Sequence, residues 1–305
     1  MTRNSCELPR YYDRAAGHLC VETVLGDRWL RLAYCSPLRG ALRWPLFSCA
    51  FFSRLMGWYL DRPASVRRIE PTIRELSINM DEAAVPPGGY RSFNDFFARR
   101  LKPGARPLPS APDALLSPAD CRLTVYPRLD QDTVVPVKGT PYRLQELLGD
   151  AALAATFRNG ALLVGRLCPA DYHRYHCPDS GTVVDICRLR GKYHSVNPLA
   201  LERGYRVFTE NLRLVIHMRL RRGIQCAMIP VGAFGVASIH NELAPVGKCF
   251  QRGDEAGYFT FGGSTVIMVY PENSVRFDDD ILRCSEQGIE TLVRANSRIG
   301  CFTGK

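Results

Sequence analysis

Apolar and polar positions change rhythm about a third of the way along the chain. In the first hundred residues apolar groups recur at helical spacing. Phe93, Phe96 and Phe97 fall on one face of a helix predicted over 93–101, with Ser92 as its N-cap, and Pro71 limits an earlier helix. Further on, alternating or β-branched runs at 161–167, 182–186, 213–220, 234–239 and 258–270 predict strands, punctuated by Gly and Pro. Thr140-Pro141 opens a short helix that Gly149 closes, and 199–206 is predicted helical behind Asn197-Pro198. The pattern is that of an α+β chain, with a helical N-terminal region over 1–76 and a β-rich body over 77–305.

One stretch breaks the pattern. Phe261-Gly262-Gly263-Ser264-Thr265 lies inside the strand-like run 258–270, where glycine forfeits conformational entropy and brings no side chain to packing. It marks a bulge or a tight bend. A bent Gly263–Ser264 peptide brings the hydroxyl within reach of the preceding carbonyl, although an ordinary serine beside a bulge leaves the same trace. Two other segments add chemistry. Ser117-Pro118-Ala119-Asp120 precedes the strand-like 121–126, and Asp171-Tyr172-His173-Arg174-Tyr175-His176-Cys177-Pro178 carries two imidazoles. Histidine exchanges protons near neutrality, and a carboxylate behind it fixes its tautomer, so Asp120, His176 and Ser264 suffice to activate a hydroxyl. Each residue singly also fits a structural part: a turn cap, a satisfied imidazole, a bulge residue.

Taken together, the segments resemble the phosphatidylserine decarboxylase family. The resemblance is carried in order by FNDFFARRLKPGARP at 93–107, SPAD at 117–120, DYHRYHCP at 171–178, Ser195-Val196-Asn197-Pro198, Val231-Gly232-Ala233 leading into 236–239, and GYFTFGGSTVI at 257–267. It implies a proenzyme in which Ser264 attacks the carbonyl of Gly263. Ester formation, elimination and hydrolysis then leave chains 1–263 and 264–305, the second blocked by a covalent pyruvoyl group derived from Ser264. Asp120 and His176 are implied as the partners that deprotonate Ser264, and His173 as the acid serving decarboxylation. The implied substrate is phosphatidylserine, joined to the pyruvoyl ketone as a Schiff base so that electrons freed with carbon dioxide are delocalised; the product is phosphatidylethanolamine. No metal is required. Two places depart from the family pattern: Cys121 stands where glycine commonly follows the SPAD aspartate, and Glu210-Asn211-Leu212-Arg213 lacks the second acidic residue that the family often shows before the arginine.

Charge and cysteine content then narrow the setting. The net charge of +10 favours an anionic partner. Dispersed basic residues and the lack of a recognition motif argue against nucleic acid and leave an anionic membrane surface. The segment 42–60 is rich in Trp, Phe, Leu and Met but is interrupted by Arg43 and Arg54, so it reads as an interfacial helix and not a spanning one; packing on the catalytic body is the other reading. Arg62, Arg67 and Arg68 lie close behind it. The opening MTRNSCELPR lacks an apolar signal segment, and the 12 cysteines contain no CxxC pair, so they are expected as reduced thiols. The expected location is peripheral, on the cytoplasmic side of a membrane, with a homo-oligomer compatible. A serine hydrolase using Asp120, His176 and Ser264 is one alternative, although Ser264 is not in a GxSxG elbow. A non-catalytic basic lipid-binding protein is the other.

Overall fold

The computed structural model describes residues 9–22, 50–129, 134–137, 140–194, 206–233, 239–262 and 264–303. Strand outweighs helix, 38% against 21%, which makes the chain α+β with a β-rich body as the sequence predicts. The strands that position the site are β1 (Arg10–Asp13), β2 (His18–Val21), β3 (Cys121–Tyr126), β4 (Ala161–Leu167), β5 (Arg174–His176), β6 (Gly181–Leu189), β7 (Arg213–Leu220), β8 (Gln225–Gly232), β9 (Ile239–Asn241), β10 (Cys249–Phe250), β11 (Glu255–Phe259), β12 (Ser264–Tyr270) and β13 (Glu290–Val293). Among the described residues a ten-stranded sheet runs in the order β10-β6-β7-β8-β12-β4-β3-β13-β1-β2, and a smaller one in the order β5-β11-β9.

Strand β12 lies in the middle of the large sheet, antiparallel to β8 on one side and β4 on the other. Its side chains alternate between two cores: Val266, Met268 and Tyr270 enter one, Ile267 and Val269 the other. Both faces are therefore covered. That is why the sequence here is an unbroken apolar run with no polar alternation.

Several expectations need correcting. The run 258–270 is two strands in two sheets: β11 ends at Phe259 in the small sheet and β12 begins at Ser264 in the large one. The first strands are unforeseen, because β1 and β2 occupy a region expected to be helical. β1 pairs in parallel with β13, far away in sequence, a contact no local pattern announces. Helix formation near residue 93 stops at Phe97, since Arg100–Leu101 pairs with Ala83–Ala84. Thr140–Arg143 is a strand paired with Val134–Val137; the helix that follows spans Leu144–Leu148 and ends at Gly149, whose φ of 70° suits glycine. β8 was hidden by Pro230, which has no N–H to donate, and its ladder to β7 lapses between Met228 and Val231. The predicted 199–206 helix (up to 205), the Ser195–Pro198 motif, most of the 234–239 strand and Gly263 lie outside the described residues.

A third core belongs to the helices α1 (Ala50–Leu60), α2 (Ile69–Leu76) and α3 (Phe93–Phe97). Leu60, Ile69, Leu76, Phe93, Phe96 and Phe97 pack together there, with Phe261 from the chain between β11 and β12 joining them. Ser92 caps α3 as its sequence predicts, its hydroxyl accepting from the Asp95 N–H at 3.1 Å.

Candidate functional site

One end of the large sheet gathers the predicted residues. β12 starts there at Ser264, whose register partners are Leu167 at the end of β4 and Gly232 at the end of β8. β3 starts there too, immediately after Asp120. The chain reaches Ser264 from the small sheet along a fixed path. The Phe261 N–H donates to Asn94 Oδ1 at 2.9 Å, and the Phe261 ring meets Phe93 and Phe97 edge-on, each at 5.2 Å. Gly262 then adopts φ 142°, a conformation closed to side-chain-bearing residues. The glycine that looked misplaced in a strand is the means of crossing between sheets.

Ser264 is fully buried, and its Oγ has no hydrogen-bond partner among the described residues. His173 is also fully buried. Its Nδ1–H donates to the Asp171 carbonyl at 2.9 Å, its ring lies 3.9 Å from that of Phe97, and Nε2 has no partner. Burial pushes its pKa down to about 3. The imidazole is therefore neutral, with an unused lone pair on Nε2. The sequence reading casts His173 as an acid; a charged ring there would lose its water without gaining a carboxylate.

His176 is held on both sides. Nδ1–H donates to the Gly253 carbonyl at 3.0 Å, while Nε2 accepts from the Tyr172 hydroxyl at 3.2 Å, and burial again lowers the pKa. Asp120 is gripped by Arg106 through Nε at 2.8 Å and Nη2 at 2.6 Å, and accepts from the Ala295 N–H at 2.8 Å. The His176 N–H donates to the Pro118 carbonyl at 2.7 Å, stitching the two motifs together. Asp120 and Ser264 thus lie at one end of the large sheet and His176, on the small sheet, is tied to the segment before Asp120, yet no hydrogen bond among the described residues joins the three to each other. Arg106, Tyr172 and Asn94 had been given no role from sequence; the only signal for them is their place within the quoted motifs.

Residues 93–301 match the phosphatidylserine decarboxylase family. The chain belongs to that family. It is 39% identical over 291 residues to a phosphatidylserine decarboxylase proenzyme of Desulfitobacterium hafniense (strain Y51), covering 95% of this chain and 97% of that one. A proenzyme of the same name from Clostridium botulinum (strain Kyoto / Type A2) is 38% identical over 291 residues, covering 95% and 98%. Phosphatidylserine decarboxylase proenzyme 3 of Schizosaccharomyces pombe is 43% identical over 246 residues, 80% of this chain and 25% of that longer one. Membership in the phosphatidylserine decarboxylase family makes the protein a decarboxylase, and hence a lyase.

Both departures from the family pattern lie in packed surroundings: where the second acid before Arg213 is missing, Leu212 is buried in the apolar core. Cys121 is fully buried, and a Cβ added to Gly165 on the adjacent strand would stand 2.7 Å from its sulfur, so the thiol occupies the space that this glycine leaves. Asp120 keeps its bond to Arg106 regardless. Asn211 is a bracket: its side chain accepts from the His194 N–H at 3.0 Å and donates to the carbonyls of His194 and Gly232, each at 2.8 Å. It thereby pins the backbone of Gly232, the register partner of Ser264. Next to it, the buried Arg213 donates to four backbone carbonyls, those of Glu146, Leu147, Thr209 and Asn211.

Proposed function

We propose that this chain is a phosphatidylserine decarboxylase proenzyme that cuts itself between Gly263 and Ser264 and converts phosphatidylserine to phosphatidylethanolamine and carbon dioxide. The observation that carries the reading is a serine hydroxyl buried without a partner at the head of a central strand, just beyond a glycine at positive φ. An unsatisfied buried hydroxyl costs stability and calls for a reason. The residues also fit a pyruvoyl group made at position 264, since two unpartnered polar atoms, Ser264 Oγ and His173 Nε2, are enclosed at this end of the sheet.

In the proposed processing step the Ser264 proton passes to His176 Nε2 as Oγ bonds to the Gly263 carbonyl carbon. The amide C–N bond breaks, its nitrogen takes the proton, and an ester links the two chains. Loss of the Ser264 α-proton with cleavage of the Cβ–O bond leaves a carboxylate on Gly263. The dehydroalanine left at 264 takes up water and releases ammonia. Cys121 and Ser264 lie two strands apart, about 10 Å at ordinary strand spacing, a span that the Asp120 and His176 side chains can share. To serve Ser264, His176 exchanges its 3.2 Å bond from Tyr172 for one from the serine. Asp120, fixed by Arg106, supplies negative charge that favours the imidazolium.

A ketone at position 264 supplies the electron sink that a carboxylate α to an amine needs before it leaves as carbon dioxide. With the substrate carboxylate beside it to offset the charge, His173 Nε2 accepts a proton from the substrate ammonium and returns it to the carbon that has lost its carboxylate. The burial that keeps His173 neutral also excludes water from the site. The alternatives of a serine hydrolase or a non-catalytic lipid binder draw no support from a family of decarboxylases.

We also infer peripheral membrane association, on the cytoplasmic side. Among the described residues no helix is long and apolar enough to cross a membrane. Leu55 and Trp58 on α1 are 49% and 55% exposed, and the Arg62 guanidinium lies 4.4 Å over the Trp58 ring. Every described cysteine is a free thiol, consistent with a reducing compartment.

Ser264→Ala tests the central reading. Wild-type protein is expected as two chains, the smaller with a ketone in place of its first amino group, and Ser264→Ala as one inactive chain by intact mass. A cut Ser264→Ala protein, or an active uncut wild type, defeats it. For the membrane reading, Leu55→Ser with Trp58→Ser is expected to weaken flotation with phosphatidylserine vesicles severalfold while leaving processing intact.

A further inference from the structure

Arg99 is an anomaly among the buried cations. It is 5% exposed and makes no ion pair among the described residues; its only hydrogen bonds run from Nη2 to the carbonyls of Ala170 at 3.0 Å and Asp171 at 3.2 Å. Nε and Nη1 are buried with no partner. The nearby carboxylate of Asp171 is already taken by Arg122 and by the Cys168 N–H, and that of Asp120 by Arg106. Beside Arg99 a second donor stands unused, the buried hydroxyl of Tyr90. The two are gathered around one ring: the guanidinium lies 5.3 Å over Phe96, and Tyr90 meets Phe96 edge-on at 5.5 Å.

Position ties this pair to the reacting end of the site. Arg99 Nη2 and His173 Nδ1 donate to the same Asp171 carbonyl, so the guanidinium and the imidazole are neighbours across a single oxygen. A buried guanidinium with unused donors is a large desolvation cost unless an anion completes it, and its planar fork matches a phosphate or carboxylate.

We propose that Arg99 and Tyr90 bind the phosphodiester anion of the substrate headgroup. This rests on the reading of the site as that of a phosphatidylserine decarboxylase, whose substrate carries two anions. The carboxylate is the wrong one for this cation: it departs as neutral carbon dioxide, so a paired guanidinium would stabilise the ground state more than the transition state and slow the reaction. The phosphodiester keeps its charge throughout. In a phosphoserine headgroup its phosphorus is three bonds from the α-carbon. An anion held by Arg99 therefore leaves the α-carbon beside His173, on the far side of the shared carbonyl.

The test compares two substrates in processed enzyme: dihexanoyl phosphatidylserine and O-hexyl-L-serine, an ether that keeps the amine and carboxylate but has no phosphate. Arg99→Met is expected to lower kcat/KM for the phosphodiester about 10- to 100-fold, mainly through KM, and to change the ether less than about 3-fold, with Arg99→Lys recovering part of the loss. Equal losses on both substrates would make Arg99 a brace for the His173 loop and overturn the inference, as would no loss. If Arg99→Met fails to process, Tyr90→Phe decides: a KM increase of about 3- to 10-fold confined to the phosphodiester upholds the proposal, and unchanged KM overturns it. Wild type that releases no carbon dioxide from phosphatidylserine defeats the parent reading instead. In that event, calorimetry of glycerophosphoserine with the uncut Ser264→Ala chain still judges the anion site: binding abolished by adding Arg99→Met sustains it, and binding absent or unaltered by Arg99→Met overturns it.

Discussion

Two buried polar clusters meet across strands β4 and β12, one residue apart in register. On one side Arg166, the partner of Thr265, uses every guanidinium nitrogen: Nε and Nη2 bind Glu290, Nη1 and Nη2 bind Glu22, and Nη1 also reaches Cys168, whose thiol turns to Glu22. On the other side, where Leu167 is the register partner of Ser264, lie atoms with no partner among the described residues: Ser264 Oγ, His173 Nε2 and two nitrogens of Arg99. Both clusters are deeply buried and strongly polar, so burial alone does not mark the site. Completeness does. A saturated cluster explains itself as architecture, here locking the β1–β2 hairpin through Glu22 to the middle of the sheet. An unsaturated one costs stability that folding does not recover, and it points to a group that arrives later.

The comparison can be broken at its saturated end first, where the largest effect is expected. Arg166→Met strands two buried carboxylates and should destabilise the fold by about 3–5 kcal/mol, read as a lower urea midpoint. A loss below about 1 kcal/mol would show that the cluster is not the lock described. The next test concerns His173. Unfolded, it takes a proton below about 6.5; folded, it refuses one until about 3, so the unfolded chain binds more protons across that window. Stability should therefore fall as pH drops below 6.5, with His173 contributing about 1.4 kcal/mol per pH unit. His173→Phe should flatten the slope between pH 6 and pH 5 by that amount, and an unaltered slope would mean that the ring is not held neutral. The smallest effect calibrates the cost of incompleteness itself. Thr291 is fully buried with an unpartnered hydroxyl on β13. Thr291→Val should leave stability unchanged or raise it by up to about 1 kcal/mol in the same urea titration, whereas a marked loss would mean that the hydroxyl is satisfied.

How far the sequence could be read depended on whether its signals were local. The strands 161–167 and 213–220 were readable to the residue, because apolar residues dominate each of them. The Ser92 cap followed from its neighbours alone. Asp120, both histidines and Ser264 were singled out through motifs; Asp120 and Ser264 lie at one end of the large sheet, and His176 lies on the small sheet, joined to Pro118 through its N–H. The N-terminal hairpin escaped notice because its four-residue strands are held by parallel pairing with residues 290–292 and by Glu22 reaching Arg166, contacts with no trace in the local pattern. The change of sheet within 258–270 was hidden for a related reason: strands buried on both faces look alike whichever sheet receives them, and only the two glycines betray the crossing. Arg99 and Arg106 sit in one basic motif and look equivalent there. What separates them is that Arg106 finds two carboxylates, Glu82 and Asp120, and Arg99 finds none.

The interleaving of β12 between β8 and β4, and of β13 between β3 and β1, bears on the order of events in the cell. These late segments fill slots whose walls are made of earlier ones, so the sheet cannot close before β12 and β13 have left the ribosome. On the proposed function, self-scission would be postponed until then. The proposed break ahead of Ser264 would leave each fragment threaded through the other, so that the severed halves would stay mated without any covalent tie.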